Sequence, residues 1–286
     1  MNGARIGFKR MVVGLPQGLA GQAAVDATAD LAEFLQIELL ATFIADSTLH
    51  TLAELSGARE LRTLDQGWQA IDVAQITRDI ESAASLARRR FAETIGTRAL
   101  KASFDVIGGV EIMASLIRAD DIVAIIEPGH PGERITQQFT RLLAAAFATA
   151  GAVLAVPRRI VRTAGPIMTT ASSSEDPSIR TALQIAAALR ERLVVTMAAD
   201  VRLPIELLAE AERLGVAVER SGGGALPVAR LQERMRVLTR SALTDKGITL
   251  FSSLQGIPLL LIDPDRAATA TSPKAGEPRQ TGVSSA

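Results

Sequence analysis

Short blocks of consecutive apolar residues recur along the first half of the chain, each followed by a stretch with helical spacing. Residues 11–15, 38–45, 122–126 and 152–156 are such blocks, and 100–107 also fits a strand. Unbroken apolar runs, unlike alternating ones, predict strands covered on both faces, as in a parallel sheet. Between them, Ala24, Ala27, Leu31 and Leu35 share one helical face within residues 20–35. A longer helix opens at Thr77, with Ile80, Ala84, Ala87, Phe91 and Ile95 on one side and Gly96 placed for a left-handed C-terminal cap. Helices are also predicted over 110–118 and from Glu133 onward, the latter with Ile135, Phe139, Leu142 and Leu143 inward. Residues 46–75 have little period and read as a loop with short helical pieces around Trp68.

After a connector at 158–165 the order begins again. A strand at 167–171 precedes Asp176 and Pro177, an N-cap and a first-turn proline. Ile179, Leu183, Ala186 and Leu189 follow on one face. Strands are predicted at 193–198, 216–219, 237–239 and 257–262, with helices at 204–214 (stopped by Gly215), 227–235 and 246–254. The second half is a shortened copy of the first, an internal duplication at domain scale. The expected domains are 8–160 and 165–263, each with its own five-stranded sheet, in apolar contact through the final strands. The tail at 264–286, rich in Ala, Thr, Ser, Gly and Pro, is expected to be disordered.

Composition narrows the function classes. The 286 residues carry 31 Lys+Arg against 31 Asp+Glu, so long-range attraction to nucleic acid or an anionic membrane is not expected. With no cysteine there is no disulfide, thiolate metal site or thiol nucleophile. With no tyrosine and one tryptophan, stacking platforms for single strands are scarce. No apolar leader follows the N-terminal charges, and the longest apolar run, 142–157, is shorter than a spanning helix. The expectation is a cytoplasmic protein.

The element order, the long loop and helix after the second strand, and two chain stretches carry a family resemblance. The stretches are Gly132-Glu133-Arg134-Ile135-Thr136-Gln137-Gln138-Phe139 with Ala152-Val153-Leu154-Ala155-Val156-Pro157, echoed by Gly247-Ile248-Thr249-Leu250-Phe251 with residues 257–262. A glycine-started helix running into a strand and proline resembles the ending of the universal stress protein family, here in tandem. The resemblance implies an α/β fold of two Rossmann-like units, of the adenine nucleotide alpha hydrolase type. Each unit has a mostly parallel five-stranded sheet with helices on both faces. It also implies dimer-like pairing of units, within the chain or between two copies, commonly through the fifth strands.

ATP-binding members of that family carry an acid after strand one, Gly-x-x-Gly after strand four and Gly-Ser or Gly-Thr about ten residues later, where backbone N–H groups meet phosphate. In this chain Leu15 is followed by Pro16, Gln17 and Gly18, with no acid. Gly129-His130-Pro131-Gly132 is a literal Gly-x-x-Gly, but Glu133 stands where the helix is expected to begin and where Ser or Thr would be needed. A carboxylate there occupies the positive helix end that a phosphate would use. In the second half Ser172, Ser173 and Ser174 follow the first strand, and Arg240, Ser241, Lys246 and Gly247 follow the fourth without paired glycines; Ser172, Ser173, Ser174, Arg240, Ser241 and Lys246 could together hold a small anion, with a solvated turn and N-cap the favoured reading. His130 has no fixed acidic partner, residues 88–90 point three ways from a helix, and residues 222–224 lack a following Lys-Ser/Thr.

The reading is a non-enzymatic regulatory or interaction protein of the stress-response type, with both ATP motifs degenerate, no cofactor and an unidentified protein partner. The alternative is an adenine-nucleotide-binding protein, with slow ATP hydrolysis, using a diverged pocket near Gly129 and Gly132.

Overall fold

The computed structural model describes residues 7–16, 22–45, 51, 55, 57, 59–62, 67–128, 132, 136–222, 232–242 and 256–266. The first half runs β1 (Arg10–Pro16), α1 (Gln22–Phe34), β2 (Glu38–Ile44), β3 (Arg59–Arg62), β4 (Gly67–Ala70), α2 (Val73–Ile95), β5 (Ala102–Ile107), α3 (Val110–Leu116), β6 (Asp121–Ile126), α4 (Gln137–Thr149) and β7 (Ala152–Val156). The second runs β8 (Ile167–Thr170), α5 (Pro177–Leu189), β9 (Leu193–Met197), α6 (Ile205–Leu214), β10 (Val218–Gly222), β11 (Met235–Thr239) and β12 (Leu259–Ile262).

The apolar blocks are the central strands. Every residue of β6, β7 and β12 is buried, as strands sandwiched by layers on both faces must be. The strands form one ten-stranded sheet in the order β10-β9-β8-β11-β12-β7-β6-β1-β2-β5. Read from the seam outward, each half has its strands in the same sequence order, fifth, fourth, first, second, third. Neighbours are parallel except at the seam, where β12 runs antiparallel to β7 with Leu260 opposite Leu154. The expectation of two separate sheets is corrected by this continuity. The strand order is nevertheless the same in both halves. Two fifth strands with apolar residues on both faces leave unpaired edges, and pairing those edges with each other satisfies their backbone groups.

The antiparallel seam keeps equivalent helices on the same face. Ala24 of α1, Phe91 of α2, Ile179 and Leu183 of α5 and Leu207 of α6 belong to one apolar layer. Met113 of α3 and Leu142 and Leu143 of α4 belong to the other.

Several local expectations are revised. The stretch around Trp68 is a β-hairpin, with Leu61 opposite Trp68 and both about half exposed or more (52% and 62%). Helix α2 starts at Val73, because the Asp72 side chain accepts the Gln75 N–H at 3.1 Å and caps it ahead of Thr77. Gly96 is right-handed (φ −58°), and the helix end is finished by the Arg98 guanidinium, which donates to the Thr94 carbonyl. Left-handed caps occur instead at Arg190 after α5 and, as expected, at Gly215 after α6. Met235 opens β11 and is buried in the sheet, where a helix end was expected. The predicted helix at 246–254, most of that at 227–235 and all of the tail beyond 266 lie outside the described residues.

Candidate functional site

In each half the strand order reverses between the first and fourth strands, so the two places for a ligand are the carboxyl ends of β1/β6 and of β8/β11. The antiparallel seam sets these ends on opposite edges of the sheet.

In the first half Pro16 is the last residue of β1, paired in register with Ile44. Proline brings no N–H and no side-chain acceptor to that end. Gln17, Gly18, Gly129, His130 and Glu133 lie outside the described residues. Gly132 is exposed, and a side chain built there would meet nothing within 4 Å, so no close approach requires a glycine. The helix after β6 begins at Gln137, four residues later than Glu133. Thr136 is its N-cap, and the Thr136 hydroxyl oxygen accepts the Phe139 N–H at 3.3 Å. The expectation that Glu133 starts this helix is therefore corrected. A threonine cap outcompetes a glutamate three residues upstream because its short side chain reaches the third N–H directly.

The second half brings Ser172, Ser173, Arg240 and Ser241 to the same end of adjacent strands. Their side chains do not converge on a ligand. Asp176 folds back over the turn: its Oδ2 accepts the Ser172 N–H at 3.2 Å and the Ser172 hydroxyl at 3.4 Å, and its Oδ1 accepts the Ser178 N–H at 3.0 Å. Only 7% of Asp176 is exposed. Beneath it the buried Thr169 and Ser178 hydroxyls share a hydrogen bond of 2.8 Å. One N–H of the helix start and one of the turn before it, which could receive an anion, are thus held by the chain's own carboxylate. No acid stands next to the strand in sequence; Asp176 is the helix N-cap that the Asp176-Pro177 pattern predicted, and its contact with Ser172 comes in addition. Ser173 is exposed and gives its carbonyl to the Asp176 N–H at 3.4 Å.

Arg240 points away from the turn, toward the first half. Its guanidinium donates to the Phe147 carbonyl of α4, lies 4.7 Å from the centre of the Phe147 ring and is 3.3 Å from Asp263. Asp263 in turn gives its N–H to the Gly151 carbonyl at 2.9 Å. Arg240 therefore clasps the two halves across the seam. Ser241 makes one long contact to the Thr239 hydroxyl, 3.4 Å. Gly247 lies outside the described residues.

Sequence reasoning did not single out the charges at the opposite strand ends. Arg10, opening β1, forms a two-pronged pair with Asp121, opening β6, at 2.6 and 3.1 Å. Asp121 is 1% exposed and also accepts the Arg118 N–H at 2.8 Å. The hydrogen bond to Asp121 raises the Arg10 pKa further, against the lowering effect of burial. A charge at the first position of each of two apolar blocks was the available signal. Among the described residues no cluster of His, Asp and Glu would hold a metal ion, and no helix is long and apolar enough to cross a membrane.

No protein-family model and no curated protein matches the sequence. Solved structures match its fold. A universal stress protein from Archaeoglobus fulgidus DSM 4304 superposes with a TM-score of 0.55 at 12% identity, over 88% of this chain and 96% of its own. A candidate universal stress protein from Pseudomonas aeruginosa UCBPP-PA14 gives 0.51 at 15% identity, over 93% and 98%. At these identities the likeness is one of fold: the chain has the Rossmann-like α/β fold of universal stress proteins.

Proposed function

We propose that the chain is a non-catalytic regulatory or interaction protein of the universal-stress-protein type, acting through an unidentified protein partner, whose second nucleotide position is closed by its own side chains. The observation that carries this reading is the Asp176 carboxylate, which holds the Ser172 N–H of the turn after β8 and the Ser178 N–H at the start of α5. A bound phosphate would have to displace a nearly buried carboxylate of the same sign and take over its hydrogen bonds. The cation beside it, Arg240, is already engaged by Phe147 and Asp263.

Titration of the full chain with ATP and ADP, with and without magnesium, tests the reading. The expected result is no saturable heat below millimolar nucleotide. Tight ATP binding that depends on magnesium would overturn it.

One observation favours a second reading, nucleotide binding in the first half. Helix α4 starts at Gln137, so the connection after β6 runs from 127 to 136 and is longer than the sequence pattern implied. It ends on a threonine, the small polar residue that the ATP-binding pattern places at this helix start. If ATP binds, Thr136→Val should weaken it while Asp176→Ala should not.

A further inference from the structure

The seam leaves a cleft of about 330 Å³ between α1 and the second half, on the face that α1 shares with α5. That volume lies in the range of small-molecule sites, about 300–1,000 Å³. Its floor is apolar, with Leu154 and Val156 of β7 and Met235 of β11 among the lining side chains, and Ala27 stands on the α1 wall. The cleft belongs to neither nucleotide position, because it lies over the seam between the halves.

Its charges are unequally satisfied. Asp30 on the α1 wall takes two bonds from Arg98, at 2.8 and 2.9 Å. Asp26 accepts the Thr94 hydroxyl at 3.0 Å and the Gln22 amide at 3.3 Å, with Arg98 at 3.8 Å. On the other wall Arg234 stands 3.6 Å from Glu191. Arg162, half-buried at the cleft, has no carboxylate or hydrogen-bond partner among the described residues. It is nevertheless held in place. Val161 donates its N–H to Gly256 at 3.0 Å, and Gly165 donates to Glu191 at 3.0 Å. Gly165 has φ +129°, and a side chain there would meet the Gln232 carbonyl oxygen at 2.2 Å, so the connector is seated tightly on both sides of Arg162.

An unpaired guanidinium on an anchored stretch of backbone, lining a cleft with an apolar floor, suits one negative charge on an apolar body. A polyphosphate would bring more negative charge than Arg162 can meet, since the other guanidinium of the lining, Arg234, already faces Glu191, and Asp26 and Asp30 stand on the opposite wall. A cation would have to compete with Arg98 for Asp26 and Asp30. We propose that this cleft binds a single-chain amphipathic monocarboxylate, its carboxylate on Arg162 and its tail over Leu154, Val156 and Met235.

The test is calorimetric titration of the full chain with decanoate, decanol and decylamine, each below its micelle concentration. Decanoate is expected to saturate one site. Arg162→Gln should weaken it by roughly 10-fold to 100-fold, as expected for loss of a charge-assisted hydrogen bond. Decanol should bind more weakly and be indifferent to Arg162→Gln. Ala27→Phe, which fills the cleft, should remove decanoate binding. Because Arg162 makes no described bond in the free protein, Arg162→Gln carries the test if Ala27→Phe fails to fold. The proposal is overturned by the absence of saturable decanoate binding. Equal affinities for decanoate and decanol, a preference for decylamine, or decanoate binding unchanged in Arg162→Gln would overturn it as well.

Discussion

The two halves share one strand order and differ in how they finish the ends of their strands. At the amino ends, the first half ties strand one to strand four: Arg10 on β1 reaches Asp121 on β6, and both Asp121 oxygens are engaged. The second half makes its counterpart locally, with Glu233 and Arg236 only three residues apart. Glu233 is 1% exposed, and its Oε2 has no partner. At the ligand ends the contrast reverses. The second half is closed by Asp176, whereas in the first half β1 ends on a proline and α4 starts late on Thr136. One topology therefore supports a cross-strand tie at one end of one half and a self-capped turn at the other end of its copy. The strand order constrains neither.

The largest test of this contrast is at the amino ends. Asp121→Ala leaves the Arg10 guanidinium, 18% exposed, with the Leu116 carbonyl at 2.8 Å but without its carboxylate, so the loss should fall at or below the low end of the about 3–5 kcal/mol for breaking a buried pair. Glu233→Met should stay within about 1 kcal/mol of the parent, since it also removes an unpartnered buried oxygen and Arg236 has access to water. Urea midpoints of the two variants measure the asymmetry; equal losses would break it. Next is the clasp. Arg240→Ala removes a charged hydrogen bond and a ring contact across the seam and should cost about 1.5–3 kcal/mol. Ser241→Ala, on the same turn, should change the urea midpoint little.

Asp176→Ala comes third. Loss of this cap should lower stability by about 0.5–2 kcal/mol, read as a lower thermal midpoint. The same change frees the Ser172 and Ser178 N–H groups, so pyrophosphate binding should rise from undetectable to measurable. Lower stability without any gain in anion binding would mean that the cap is structural alone. The smallest effect is in acid. The Asp120 carboxyl is held below its ordinary pKa, first by its hydrogen bond from Lys9, and Glu38 similarly by Lys101. A lowered carboxylate pKa stabilises the folded state above the unfolded value, and the contribution is lost as pH falls through the folded value. Lys9 is 77% exposed, so the Asp120 share is under about 1 kcal/mol. Lys9→Met should remove it, making the urea midpoint less pH-dependent below about pH 4, and 0.5 M salt should mimic the variant.

Much of this architecture was legible in the sequence. Continuous burial made β6, β7 and β12 visible as apolar blocks, and Asp176-Pro177 and Gly215 marked helix ends by local chemistry alone. The hairpin was not visible, because the cross-strand pair of Leu61 and Trp68 is mostly exposed and too short for a period. The fate of the site residues was also hidden. Whether Arg240 meets an anion or Phe147 depends on a partner 93 residues away in the chain. The turn of Asp176 back onto Ser172 depends on which hydrogen bonds its loop leaves open.

The seam also has a consequence for synthesis. Strand β7 is complete long before β12, its partner, which follows roughly 100 residues later. At typical rates of about 5–20 residues per second, the finished first half waits roughly 5–20 s with that edge unpaired. Every residue of β7 is apolar and, once folded, buried. For that interval the nascent chain presents a sticky sheet edge, inviting another nascent copy or a chaperone. A ribosome stalled within the second half would prolong that exposure, although the first half would be fully made.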